Sequence, residues 1–404
     1  MNKRLNAAVV LTMLLAVIAV TVSIKFNENH KNFSPNAEEK PQSISATEDE
    51  AKEKMRGLWI SYISLDMTGT DRSEEAFREK IRKIAKTAEE YNCNSVFIHV
   101  RAFSDAFYNS QLFPSSHVLW GEQGAEQSFD GLSIICEEFH KESLAVHAWI
   151  NPYRVTASKD AFELSANNIY SKNKDICIEY NEGIYLNPAK REARKFIVDG
   201  VKEIIENYPV DGIHFDDYFY PTSDEDFDKE MYNTYLKSCK SQRDAMPLTK
   251  WRQNNVNMLV SEVYRCIKSF DKNISFGISP QGNIENDLYM GADIKSWCEQ
   301  TGYVDYICPQ LYFSLENPAL GFEAGLEDWL EFDFHTGLDF YVGLGVYKAG
   351  TDADSGTWLK EDNILSRELE LIRKKKLQGF VLYDYEAMLK SEAQAELINL
   401  NKLL

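Results

Sequence analysis

Asp211-Gly-Ile-His-Phe-Asp-Asp-Tyr-Phe-Tyr-Pro221 is the stretch on which the reading of the whole chain turns. Ile213 and Phe215 alternate with His214 and Asp216, so a strand period of two sets His214 and Asp216 on one face. Gly212 lets the backbone enter tightly, and Pro221, with no N–H to donate, ends the pairing. A turn or a helix cap needs a single Asp. Two of them, followed by Tyr218, Phe219 and Tyr220, exceed that need and point to chemistry at the end of a strand. In a barrel of parallel strands, that end is where reacting side chains gather.

Outward from this stretch the chain keeps a strand–helix rhythm. Strands are expected over Leu58–Leu65, Ser95–Arg101, Leu144–Tyr153, the quoted stretch, Ile274–Pro280, Val304–Tyr312, Phe340–Tyr347 and Phe380–Tyr385. Helices are expected over Ser73–Tyr91, Asp130–Ser143, Pro188–Tyr208, Trp251–Phe270 and Glu392–Leu404. Eight strands alternating with helices through residues 55–404 fit one α/β domain, a (β/α)8 TIM barrel. No glycine-rich phosphate loop supports the rival, a doubly wound sheet. The connections after the second, third and fourth strands are the longest, so they should wall one side of the C-terminal face.

The first residues do not belong to that domain. Lys3 and Arg4 precede an apolar run from Ala7 to Ile24 that reaches membrane-spanning length. No small-x-small cleavage site follows it and no Cys is placed for a lipid, so residues 1–24 read as an uncleaved signal-anchor ahead of the alternative, a cleaved signal with the domain secreted; in both readings the domain is exported. Residues 25–54 are polar, lack periodicity and read as a flexible linker. With 44 Lys and Arg against 63 Asp and Glu, the net charge of −19 repels phosphate backbones and excludes nucleic acid as a partner. The 7 Cys are scattered without a CxxC pair, implying neither a disulfide framework nor a structural zinc site.

The period of two also names the side chains that should converge. The second strand offers His99 and Arg101, the third His147, Trp149 and Asn151, and the fourth His214 and Asp216. The sixth offers Gln310 and Tyr312, the eighth Asp384 and Glu386. Glycoside hydrolysis needs two carboxyl groups at the scissile bond. Asp216 is the expected nucleophile or base; Asp217 is the expected acid if the strand bends at its end, with Asp384, Glu386 and Asp105 in competition. Arg101 and Arg154 suit either an ion pair with these acids or an acidic group of the substrate. Trp59, Trp149, Tyr153, Tyr218 and Tyr312 suit sugar stacking or plain core. His99, His147 and His214 with Asp216 raise the alternative of a metal. Without HxH or HExxH spacing the histidines are read as hydrogen-bonding groups, and neither metal nor cofactor is expected.

Beyond this the chain resembles the bacterial glycosyl-hydrolase-like proteins of the family-10-like type. The resemblance is carried by Arg56-Gly-Leu-Trp59, Val100-Arg101 with Asp105-Ala-Phe-Tyr108, His147-Ala-Trp-Ile-Asn-Pro-Tyr-Arg154 and the quoted stretch. Trp251-Arg252 with Asn255-Val-Asn257, Gly277-Ile-Ser-Pro280 and Val304-Asp-Tyr-Ile-Cys-Pro-Gln310 complete it. It implies a TIM barrel acting outside the cytoplasm on bacterial glycans, with peptidoglycan glycosidase activity; the net negative charge then favours the less charged denuded strands as the polysaccharide partner. Gln281, Phe313, Lys250 and Leu186-Asn-Pro188 depart from the family pattern. Chitinase-type barrels also end their fourth strand in acids, but their terminal Glu falls at Tyr218, so the sequence does not support their substrate-assisted mechanism. A noncatalytic glycan-binding barrel and a metal-dependent polysaccharide hydrolase or deacetylase are the alternatives.

Overall fold

The computed structural model describes residues 54–158 and 162–404. The expected signal-anchor and all of the expected linker but Lys54 lie outside the described residues. Within them, eight parallel strands close on themselves: β1 Met55–Ile60, β2 Ser95–Arg101, β3 Ala145–Ile150, β4 Gly212–Phe215, β5 Ser275–Ile278, β6 Tyr306–Ile307, β7 Asp339–Gly345 and β8 Gly379–Tyr383. Each pairs with its sequence neighbour, and β1 seals the ring against β8 through Leu58↔Leu382. The principal helices are α1 Glu74–Glu90, α2 Gly131–Lys141, α3 Arg191–Asn207, α4 Lys229–Ser238, α5 Leu248–Phe270, α6 Phe322–Leu330, α7 Ile364–Lys374 and α8 Gln394–Asn401.

Strand alternation divides the apolar residues into two cores. Leu58, Ile60, Val96, Ile98, Val146, Ile213 and Phe276 face outward and pack in the layer shared with the helices. Trp59, Phe97, Trp149, Tyr306, Cys308, Tyr341 and Val381 fill the lumen. So many rings fit only because glycines stand opposite them: a Cβ on Gly277 would run into the Tyr306 ring, and one on Gly212 into His147. The helices begin where short side chains satisfy their free N–H groups. Ser73 accepts from Ala76 N at 3.3 Å and Asp130 from Ser133 N at 3.0 Å.

Four features differ from the sequence reading. The first strand, expected to reach Leu65, ends at Ile60, and Tyr62–Leu65 forms a helical turn. The polar loop after β3 folds into an antiparallel sheet of Arg154–Thr156, Gly183–Leu186 and Cys177–Tyr180. Its strands alternate too briefly to stand out from a loop. The acidic excursion after β4 carries α4. The sixth strand shrinks to two residues, and single bridges from Gln310 to Gln281 and Gly343 continue it toward the site. Among the described residues no helix is long and apolar enough to cross a membrane, and all seven cysteines are free.

Candidate active site

The site is built around Asp216, immediately beyond the end of β4 and 2% exposed. Register places β3 beside it, with Trp149 opposite His214. Trp149 Nε1 therefore donates to Asp216 Oδ2 at 3.0 Å, and Asn151 Nδ2 donates to the same oxygen. The Tyr218 N–H donates to Oδ1 at 3.2 Å. One strand further round, His99 stacks on Trp149 with ring centroids 3.4 Å apart. Its Nδ1 accepts the Tyr62 N–H at 3.1 Å, so its proton is on Nε2, which faces Asn151 Oδ1 at 3.0 Å. Arg154 Nη2 reaches that oxygen at 2.5 Å. Two donors on Oδ1 fix which end of the Asn151 amide meets Asp216.

Asp217 turns to the other flank. Gln310, beyond β6, donates from Nε2 to Asp217 Oδ1 at 3.1 Å and to Ser279 O at 2.9 Å. Burial and the neighbouring Asp217 push the Asp216 carboxyl up to about 7. Burial also raises Asp217, while Arg154 moderates both. The two titrate as a pair that holds one proton near neutral pH. The Trp149, Asn151 and Tyr218 donors offset part of the rise on Asp216, as the Gln310 and Gln281 side chains do on Asp217. Arg154 is caged by aromatic faces, 4.7 Å from the Phe103 centroid and 5.3 Å from that of Tyr218. Tyr312 and Tyr383 stack at 5.2 Å, and both meet the Trp59 ring near edge-on.

Asp216, Asp217, Trp149, Asn151, Arg154, Tyr218, Gln310 and Tyr312 are thus gathered at one end of the barrel. Four expected residues are not. A register shift between His99 and Arg101 pairs Arg101 with Ile150 and turns it to the outer layer. There its guanidinium lies 4.3 Å from the Phe113 centroid and packs against Gly200 of α3. Tyr153 is 1% exposed in the outer core. His147 lies two residues below Trp149, stacked on Phe97 at 4.6 Å. His214 is fully buried in the floor, where Trp59 Nε1 approaches its Nε2 at 3.3 Å and Ser279 Oγ at 3.0 Å.

An indole N–H only donates, so His214 Nε2 accepts. The His214 proton is then on Nδ1, which reaches Tyr306 OH at 3.0 Å, and that hydroxyl turns its hydrogen to His147 Nδ1 at 3.2 Å. Burial holds both rings neutral, pushing His147 down to about 4 and His214 well below its usual range. The three histidines therefore do not converge on Asp216. Among the described residues, no group of three or more His, Cys, Asp or Glu is placed to hold a metal ion.

The competing acids are engaged elsewhere. Asp105 meets His117 Nδ1 at 2.9 Å and Gln123 Nε2 at 3.3 Å. Asp384 Oδ1 accepts the Ala387 N–H at 3.1 Å as a helix cap, and burial pushes the group up to about 6. Glu386 acts on Lys80, whose Nζ meets backbone oxygens of Ser64 and Asp66. Sequence reasoning missed the participation of Tyr62, Phe103 and Tyr383 around the acids. Tyr62 and Phe103 follow strand ends where the period of two no longer assigns a side, whereas Tyr383 could have been found by extending the alternation of β8.

A buried carboxyl pair that shares a proton can donate it and take it back. The Glycosyl hydrolase-like 10 family model matches residues 54–359, most of the described chain. The chain belongs to this family. As a member of the glycosyl hydrolase-like 10 family it is a glycoside hydrolase. It is 32% identical over 348 residues to the glycosyl hydrolase YngK of Bacillus subtilis, covering 79% of this chain and 67% of that protein. It is 29% identical over 373 residues to the glycosyl hydrolase DigH of Escherichia coli, covering 84% and 83%. The glycoside hydrolase domain of PgaB (BpsB) from Bordetella bronchiseptica shares the fold at a TM-score of 0.57 and 12% identity, covering 85% of this chain and 98% of that one.

Proposed function

We propose that this glycoside hydrolase is anchored outside the cytoplasmic membrane and cleaves bacterial wall glycan, namely denuded peptidoglycan strands, with Asp216 and Asp217 carrying the reaction. The observation that supports it most is the buried pair itself, with Asp216 oriented by Trp149 and Asn151 and Asp217 turned to Gln310. Tyr218, 41% exposed beside these acids, offers a face for a sugar ring. The net charge of −19 disfavours polyanions such as teichoic acids. Denuded strands keep only a lactyl carboxylate on alternate sugars, and Arg154 is the cation beside the acids to meet it. Its Nε is held by Ala102 O at 2.9 Å and its Nη2 by Asn151, so it meets that group as a charge and not as a free fork. The apolar run Ala7–Ile24 supplies the anchor, and a coil of about thirty residues spans on the order of 30 Å to the nearby wall.

The test uses the full chain recovered from the membrane fraction, with products from denuded peptidoglycan, starch and cellulose read by mass spectrometry. Saccharides are expected from the wall glycan and little from the other two. Asp216→Asn should lower turnover about 100-fold or more while preserving the fold. Efficient starch cleavage without wall-glycan products would overturn the substrate. Near-normal turnover by Asp216→Asn would remove that residue from the mechanism, and recovery of the chain only as a shortened form in the medium would overturn the anchor.

A further inference from the structure

We infer that the Asp216–Asp217 pair serves a substrate-assisted hydrolysis, in which the 2-acetamido oxygen of an N-acetylhexosamine, and no protein carboxylate, attacks the anomeric carbon. This rests on the wall-glycan reading only in that both sugars of that polymer carry the acetamido group.

Direct two-carboxylate hydrolysis sets its acids on opposite sides of the scissile bond, about 5–5.5 Å apart for retention or 6.5–9.5 Å for inversion. Here the acids are consecutive residues at the end of one strand. The other carboxyls near the barrel mouth are committed: Asp105 to His117 and Gln123, and Asp384 to a helix N-terminus. Asp287 is 1% exposed and accepts the Gln281 N–H at 3.0 Å, sealed from a substrate.

The lone pairs of Asp216 point the same way. Oδ2 already receives the Trp149 and Asn151 N–H groups, and Oδ1 receives the Tyr218 N–H. One acceptor position remains of about four. A nucleophile must surrender its donors as it bonds to carbon, which so many donors resist. A hydrogen-bond acceptor needs one free position, and an acetamide presents one N–H. Asp217, half-buried on the other flank beside Gln310, is the remaining carboxyl of the pair and the group to protonate the leaving oxygen. Across the mouth, the Tyr312 and Tyr383 hydroxyls make no hydrogen bond among the described residues, and Trp59 lies beneath them. They suit the acetamide oxygen.

In the first step Asp217 gives its proton to the glycosidic oxygen as the C1–O bond breaks. The acetamide oxygen bonds to C1, and Asp216 takes the N–H proton, leaving a neutral oxazoline. In the second step Asp217 takes a proton from water as the water oxygen bonds to C1. The C1–acetamide bond breaks, Asp216 returns its proton to nitrogen, and the configuration at C1 is retained. The chitinase-type acid position, occupied here by Tyr218, is not needed, because the acid sits one residue earlier.

Two measurements on the full chain test this. The first is the binding of N-acetylglucosamine thiazoline, a stable mimic of the oxazoline, by calorimetry. Binding is expected, weakened about tenfold or more by Asp216→Asn, which turns an acceptor into a donor at that position. The second is the anomeric configuration of the first product from denuded peptidoglycan, read by proton NMR; retention is expected. Inversion, or a thiazoline that fails to bind or binds both forms equally, overturns the inference. Thiazoline binding without cleavage of wall glycan would sink the substrate reading and leave the acetamide subsite standing.

Discussion

His99 touches none of the reacting groups, yet three interactions pass through it. It accepts the Tyr62 N–H, stacks on Trp149, donates to Asn151 and so holds both side-chain donors on Asp216. Burial and the nearby Arg154 charge keep its ring neutral, well below the usual histidine range, so its proton assignment does not change with working pH. His99→Ala would free the Asn151 amide to turn its oxygen toward Asp216. The expected result is a kcat about 10- to 100-fold lower with KM little changed. Because the charged carboxylate loses a donor, the acid limb of the pH–rate profile should move upward. His99→Gln, which can still donate, should restore part of both. A variant that loses thermal stability without moving that limb would make His99 a packing residue only.

At the scale of elements, α5 holds the loop after β4 in place. Arg252 and Asn255, three residues apart, share one helix face. Arg252, 2% exposed, pairs with Asp228 at 2.6 Å and reaches Asp224 O at 2.6 Å; Asn255 Nδ2 donates to Tyr220 OH at 3.3 Å. These residues carry part of the family resemblance, and their work is to anchor the chain leaving Asp217. Arg252→Ala strands Asp228 as a buried charge and should cost about 3–5 kcal/mol, read from urea midpoints. Arg252→Met combined with Asp228→Leu should recover most of it, since two apolar groups need no partner. An unchanged midpoint for Arg252→Ala would show that the pair contributes nothing.

Over the whole molecule, raised carboxyls set how stability follows pH. Burial holds Asp384 at about 6, and burial with Asp217 holds Asp216 at about 7, against about 3.9 in an unfolded chain. The folded barrel therefore keeps protons that the unfolded chain releases. That contribution is complete below about pH 4 and is lost as pH rises through 6 and 7. Glu138 runs the other way: burial opposes its charge, but hydrogen bonds from Arg82, Arg78 and Lys141 bring it down to about 2. Its contribution is present above its ordinary value and fades as pH falls through 2. Self-repulsion from a net charge of −19 grows with pH and adds to the first effect. Calorimetry should find a higher Tm at about pH 5 than at about pH 8, with Asp384→Asn flattening the upper slope. A Tm that climbs steadily to pH 8 would contradict this.

The sequence by itself determined what is local. Alternation marked the second strand as Ser95–Arg101, where β2 lies, and a period of two placed Asp216 toward the lumen with Trp149 and Asn151 on the neighbouring strand. Tertiary structure decided what depends on partners far along the chain. The bonds His99–Asn151, Trp149–Asp216 and Gln310–Asp217 join residues 52, 67 and 93 positions apart, and no window of sequence contains both ends. One register shift after His99 removed Arg101 from the expected site. Lumen position alone did not separate His147 and His214, spent on Tyr306, Ser279 and Trp59, from residues at the mouth. Periodicity tells which face a side chain takes, because backbone geometry repeats every two residues. Depth in the barrel and choice of hydrogen-bond partner follow from register and closure, which exist only once all eight strands have met.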